Sequence, residues 1–203
     1  MARIWYGMEG RGGHPPVPDN EKIKGRFTAG DLRTESLSGQ DLSGENMDFA
    51  YMSGGNLSDA DLSETSLEGS VMANADWTDT NLKGANMRSA DLRGGIFKNA
   101  NMRGADCTSA LLMGADFTEA NLRRADFSGA DLQFARFMGA NMRGADLSGA
   151  DLRDAVYDDE TTWPRGFKPI NHGAYPLKWL PDTLIQDSGL EEYVAGSTED
   201  DDD

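Results

Sequence analysis

The sequence has few of the residues on which catalysis and metal binding most often depend. It has one cysteine, Cys107, and two histidines, His14 and His172. A single thiol permits no intrachain disulfide framework and agrees with a reducing compartment. Neither histidine has a cysteine at metal-ligand spacing, so no metal and no cofactor is expected. No stretch approaches the roughly twenty apolar residues that a membrane helix needs. The opening residues, Met1 to Pro16, hold no apolar run of signal-peptide length. The chain is therefore read as cytoplasmic and without a membrane partner. Bases are scarce as well: 19 Lys and Arg stand against 35 Asp and Glu, for a net charge of −16. Nucleic-acid binders are ordinarily basic, so direct binding of DNA or RNA is not expected. Neither of the glycine-rich phosphate-binding fingerprints occurs.

What the sequence has in abundance is a period of five. From Leu32 to Tyr157 every fifth residue is bulky and apolar: Leu37, Leu42, Met47, Met52 and so on through Trp77, Phe97, Cys107, Phe117, Phe127, Phe137 and Leu152. Two positions before these the residue is usually Ala, without a break from Ala100 to Ala155. Between the two lies Asp or Asn, as in Ala115-Asp116-Phe117. Helices place apolar residues every 3.6 positions and strands every 2. A period of five fits neither. It fits a chain that turns a corner once per repeat and sends one large and one small side chain inward on each side. A fixed short period over this length marks a repeat architecture.

The pattern Ala-(Asp/Asn)-Leu-X-X resembles that of the pentapeptide-repeat family, over residues 30 to 157. The resemblance implies an all-β fold, a right-handed quadrilateral β-helix with four repeats per coil. The sequence supports a coil of twenty independently. Residues 99–110, 119–130 and 139–150 are alike at that step, and Lys83, Arg103, Arg123 and Arg143 recur at it. Side chains fill such a rod, which leaves no room inside for a small-molecule substrate. Cys107 falls at an inward position and reads as a small core residue. The regularly spaced Asp and Ser residues read as corner hydrogen bonds, not as a catalytic pair in a cleft.

The chain divides into an N-terminal arm at 1–24, a β-helix at 25–157, a C-terminal cap at 158–196 and a disordered acidic tail at 197–203. Ile4, Trp5 and Tyr6 in the arm are either a peg over the open end of the rod or a partner-binding peptide. Glu35, Gln40 and Glu45 replace Ala at the small inward position. A buried unpaired carboxylate is costly, so they are expected at the open end. Trp163, Phe167, Tyr175, Trp179 and Leu180 are dense enough to cap the last coil, which would otherwise expose core and strand edges. Residues 182–194 read as a short helix.

Two surface features stand out. From Asp31 to Thr80 there are eleven acids and one base; from Asn81 to Ala155 there are nine acids and ten bases. The acidic half is either simple solvation or a docking surface for a basic groove. The column of Lys83, Arg103, Arg123 and Arg143 is expected to be balanced by Asn86, Asp106, Asp126 and Asp146, three residues on. Elsewhere the outward positions carry apolar residues: Phe49, Tyr51, Val71, Ile96, Leu111, Met113, Phe134, Met138 and Val156. A contiguous apolar patch marks an interface, although the C-terminal segment could cover this edge. The reading is of a non-enzymatic scaffold that binds a protein partner, or itself, through this edge or the caps. The alternative follows from the resemblance: some family members imitate B-form DNA and occupy the DNA-binding saddle of gyrase. The mixed charge after Asn81 argues against it.

Overall fold

The computed structural model describes residues 36–180. The arm at 1–24, the residues up to 35, the expected helix at 182–194 and the acidic tail lie outside them.

From Ser36 onward the backbone repeats one motif every five residues: a bridge residue, an inward bulky residue, a two-residue turn and an inward small residue. The hydrogen bonds explain why the period is five. In the quintet Asp61 to Thr65, the Asp61 N–H donates to Gln40 O of the coil before, at 2.9 Å. Leu62 and Glu64 donate to Asn81 O and Lys83 O of the coil after, at 2.8 and 2.9 Å. Thr65 closes the turn onto Leu62 O at 3.2 Å. One N–H remains, that of Ser63, and it is taken by the Asp61 side chain at 2.9 Å. Every amide of the quintet is thus paired, as buried backbone demands. This is why the bridge position is Asp or Asn: its side chain forms an Asx turn with the residue two on.

The second turn residue of every corner from Gly39 to Asp154 has a positive φ, between 53° and 75°. A type II turn requires this at its third position, where glycine is the natural occupant. Glycine fills half of these corners. Larger residues, among them Phe49 at 58° and Phe134 at 59°, take the rest.

Each bridge pairs in parallel with the residue twenty positions on, and four such columns run along the rod. Face one carries residues 36, 56, 76, 96, 116, 136 and 156. Face two carries 41 to 141, face three 46 to 146 and face four 51 to 151, all at the same step. Coils stack at the β spacing of about 4.8 Å. Inside, the bulky column from Leu37 to Leu152 is buried throughout. The small column is buried from Ala50 to Ala145 and again at Ala155, with Ala150 half-buried, and Gln40 and Glu45 before it are half-buried. Where threonine replaces alanine, its hydroxyl donates inward, Thr65 to Leu42 O at 2.8 Å and Thr80 to Leu57 O at 2.9 Å.

One inner wall is aromatic. Trp77, Phe97, Phe117 and Phe137 stand one above another with centroids 5.5, 5.1 and 5.4 Å apart and planes within 18° of parallel. The column continues out of the repeat through Trp163, Phe167 and His172. At Gly95 there is no room for a Cβ, because the Phe97 ring edge would lie 2.8 Å from it.

The last rungs depart from the step of twenty. Asn141 pairs with Thr162, and β1 (Val156–Tyr157) pairs in parallel with β2 (Tyr175–Pro176). Trp163 and Phe167 pack on the end of the core. Tyr175 and Trp179, expected in the cap, instead point to solvent, while Ala174, Pro176 and Leu177 are buried. The reason at β2 is the alternation of a strand: with Pro176 turned inward, Tyr175 must face out.

Candidate interaction surfaces

Among the described residues no group of His, Cys, Asp or Glu could hold a metal ion, and no helix is long and apolar enough to cross a membrane. Burial raises the Cys107 thiol well above its ordinary range and keeps it protonated. What the molecule offers is its outer surface, which carries three distinct patterns.

The first is apolar and centres on the corner between faces four and one. Leu111 lies on face four and Met113 at the corner that follows it. Phe134 is at the same corner one coil on, and Ile96 is on face one one coil before. All four are exposed, at 41, 39, 54 and 39%. Tyr51 and Val71 lie lower on face four and are separated from Leu111 by Asp91. These substitutions have a structural cost. At Tyr51, Val71 and Leu111 the Asx side chain is gone, so the N–H groups of Ser53, Ala73 and Met113 lose the acceptor that closes most other corners. Phe134 places a bulky ring at a positive φ, which costs on the order of 1–2 kcal/mol relative to a right-handed conformation.

Two residues expected on this edge belong elsewhere. Met138 is 1% exposed, buried with Val156 under Leu177. It lies at the next corner, where the chain beyond the repeat returns and covers it. Phe49 lies at the corner between faces three and four, with its ring over the next coil. A Cβ at Gly69 would come within 2.6 Å of it.

The second pattern is the basic column at the corner between faces two and three. Lys83, Arg103, Arg123 and Arg143 are exposed on successive coils. Their backbone N–H groups rest on Asn81, Asn101, Asn121 and Asn141. The first three of those asparagines form an amide ladder with Asp61, the Nδ2 of Asn81, Asn101 and Asn121 each donating to the Oδ1 below at 3.1–3.2 Å. The expected pairing with the acids three residues on is not formed. Asp106 binds Arg88 at 3.0 Å and the Thr108 hydroxyl; Asp126 binds Ser128 and Asp146 binds Ser148. The Asx turn commits each carboxylate to its own corner and away from the column.

The third is charge pairing along a single corner. Arg93 and Arg153 each fold back onto the aspartate two residues before, Asp91 and Asp151, at 2.6 Å. These guanidinium bonds hold both carboxyls below the usual range. For Asp106, burial acts to raise the pKa, but the Thr108 and Arg88 bonds outweigh it and leave it lowered.

The sequence matches the model for pentapeptide repeats in eight copies, across residues 36–69, 60–99, 81–118, 97–129 and 120–156. The chain belongs to the pentapeptide-repeat family. No curated protein is significantly similar to it in sequence. Solved structures are. A pentapeptide-repeat protein of Nostoc PCC 7120, alr5209, is 35% identical over 50% of this chain and 84% of its own, with a TM-score of 0.49. Rfr23 of the cyanobacterium Cyanothece 51142 is 28% identical over 53 and 63%, with a TM-score of 0.33. QnrB1, a plasmid-mediated fluoroquinolone resistance protein, is 19% identical over 77 and 95%, with a TM-score of 0.36.

Proposed function

We propose that this pentapeptide-repeat chain, a right-handed quadrilateral β-helix, is a cytoplasmic, non-enzymatic scaffold. It docks a protein partner through the corner between faces four and one. No nucleic acid, membrane or small-molecule substrate is part of this reading. The observation that carries it is the cluster of Ile96, Leu111, Met113 and Phe134, four exposed apolar side chains on adjoining coils. Local rules broken without local gain point to function. Here Leu111 gives up a turn bond and Phe134 occupies a glycine corner, and neither is repaid within the described residues. Contiguous exposed apolar surface is the signature of an interface. The test is Leu111→Asp with Phe134→Asp. Both side chains point outward, so the fold should persist while association with the partner is lost. Loss of buried anchors of this kind typically costs about 2 kcal/mol or more. Unchanged association in sedimentation or pull-down from the native host removes the corner from the argument.

A second reading rests on the acidic stretch from Asp31 to Thr80, with its single base. Such a surface suits a basic groove, as in imitation of DNA toward gyrase or a related topoisomerase. A supercoiling assay decides it. Inhibition by the wild type that is weakened by Asp61→Lys with Asp76→Lys supports it; no inhibition by the wild type removes it.

A further inference from the structure

One corner sequence occurs in two forms that differ by a single residue. On face four, arginine follows aspartate by two positions in Asp91-Leu92-Arg93 and Asp151-Leu152-Arg153, and each arginine folds back onto its carboxylate at 2.6 Å. On face two the leading residue is asparagine on four successive coils: Asn81-Leu82-Lys83, Asn101-Met102-Arg103, Asn121-Leu122-Arg123 and Asn141-Met142-Arg143. Asparagine closes the turn through its Oδ1 just as aspartate does. It offers the base no charge. Lys83, Arg103, Arg123 and Arg143 are exposed and form no ion pair among the described residues. Arg124, the next residue of the same corner, is likewise exposed and without an ion pair among them. From residue 81 onward the bridge column of face two holds no acid, whereas each of the other three columns does. The acids of this edge lie at its foot: Asp61 under the amide ladder and Glu64 over Gly84.

Five like charges on four adjoining coils repel, as like charges do across neighbouring strands. The fold does not require this, since aspartate would close the same turns and neutralise the column. We infer that the column is a docking strip for an acidic segment of a partner protein, an α-helix that carries carboxylates along one stripe. Three observations select this occupant. The first is charge, since the five bases are left uncompensated at the corner. The second is length. Lys83 to Arg143 spans three coil spacings, about 14 Å, and the acids at the foot repel any polyanion that runs on past Lys83. The third is spacing. A helix with Asp or Glu at i, i+3, i+7 and i+10 sets four carboxylates on one side over about 15 Å, one for each coil. Same-side residues of an extended strand recur at about 6.6 Å, and the phosphates of one DNA strand at about 3.4 Å along the axis, so both fall out of step with the coils. The corner between faces two and three is diagonally opposite the apolar corner. The strip is therefore a second docking edge, independent of the first.

Titration of the full chain with a synthetic peptide tests it. The probe is a labelled alanine-rich helix with glutamate at i, i+3, i+7 and i+10, followed by fluorescence anisotropy at low salt. It should bind, and more weakly as salt rises. An isomeric helix with the four glutamates spread around its circumference should bind about tenfold more weakly. The deciding variant is Asn101→Asp with Asn121→Asp. It keeps every base and every turn, but gives Arg103 and Arg123 the partner that Arg93 and Arg153 have. Affinity should fall about tenfold with the melting temperature kept. Arg103→Glu with Arg123→Glu should abolish binding. Leu111→Asp with Phe134→Asp should leave it unchanged; loss of binding there would place the peptide at the apolar corner and overturn the strip. The strip is equally overturned if the striped peptide does not bind, if the two peptides bind alike, or if the asparagine substitutions leave affinity unchanged. Tighter binding of a single-stranded oligothymidylate than of the striped peptide overturns it in favour of nucleic acid.

Discussion

The described rod has two halves that share an interior and differ outside. From Leu37 to Thr80 and from Asn81 to Ala155 the bulky column is buried alike, and the corners turn alike. Outside, the first half is almost purely acidic. The second carries the basic column, the paired arginines and the apolar corner. The fold therefore fixes the two inward positions of each five, and the outward three, though favouring Asp or Asn at the bridge and a residue that tolerates positive φ at the turn, can be varied for recognition. A family can keep the first pair while its members diverge in what they bind, which is why family membership leaves function open.

That comparison can be broken most forcefully in the core. Ala125→Leu and Ala60→Leu each force a large side chain into the small inward column, and each should cost about 1–3 kcal/mol. Equal losses in denaturant titration are expected, because the two halves share one packing scheme. A loss confined to one half would mean that the interiors differ. On the outside the halves should separate. Leu111→Asp with Phe134→Asp should abolish association with a melting temperature within a few degrees of the wild type. Tyr51→Asp, at an exposed apolar residue of the acidic half, should leave association intact.

A smaller effect concerns acid. Asp91 and Asp151 have folded pKa values below their unfolded ones because of Arg93 and Arg153. Their contribution to stability is present above the unfolded value near 4 and disappears as pH falls through the lower folded values. Arg93→Ala with Arg153→Ala should therefore lower stability slightly above about pH 4, with variant and wild type converging at lower pH, so that the decline flattens. An equally steep decline in the variant would assign it to other carboxylates. The smallest effect is expected in the basic column. Arg123→Ala removes no ion pair among the described residues and should leave stability within error, since even formed surface pairs contribute little.

How much of this was legible in the sequence follows from which interactions are periodic. The inward column could be read from Leu37 to Leu152 because each coil repeats the same demand for a large residue. The coil of twenty was legible too, in the recurrence of Arg103, Arg123 and Arg143. The aromatic wall had a signal at the same step, Trp77, Phe97, Phe117 and Phe137, but stacking depends on ring orientation, which spacing does not supply. Met138 was misread because its burial comes from Leu177, a residue beyond the periodic segment that lands there only once the chain turns back. The carboxylates of Asp106 and Asp126 were assigned to the wrong partners for the opposite reason. Their nearest donors lie within their own turns, and local bonds form before distant charges are met.

The four-column register also governs how such a chain can change length. Insertion of one quintet would preserve the phase of five, and every bulky residue would still point inward. It would nevertheless carry all later residues around by one face. Ile96 would part from Leu111, the aromatic wall would split between two sides, and the amide ladder below Asn121 would meet a different column. Insertion of twenty residues would add a storey and disturb none of these. The interior therefore tolerates growth by fives, whereas the surface tolerates it only by twenties. Departures from twenty occur where the described chain leaves the repeat, at Thr162 and Tyr175, where no further described storey follows to be misaligned.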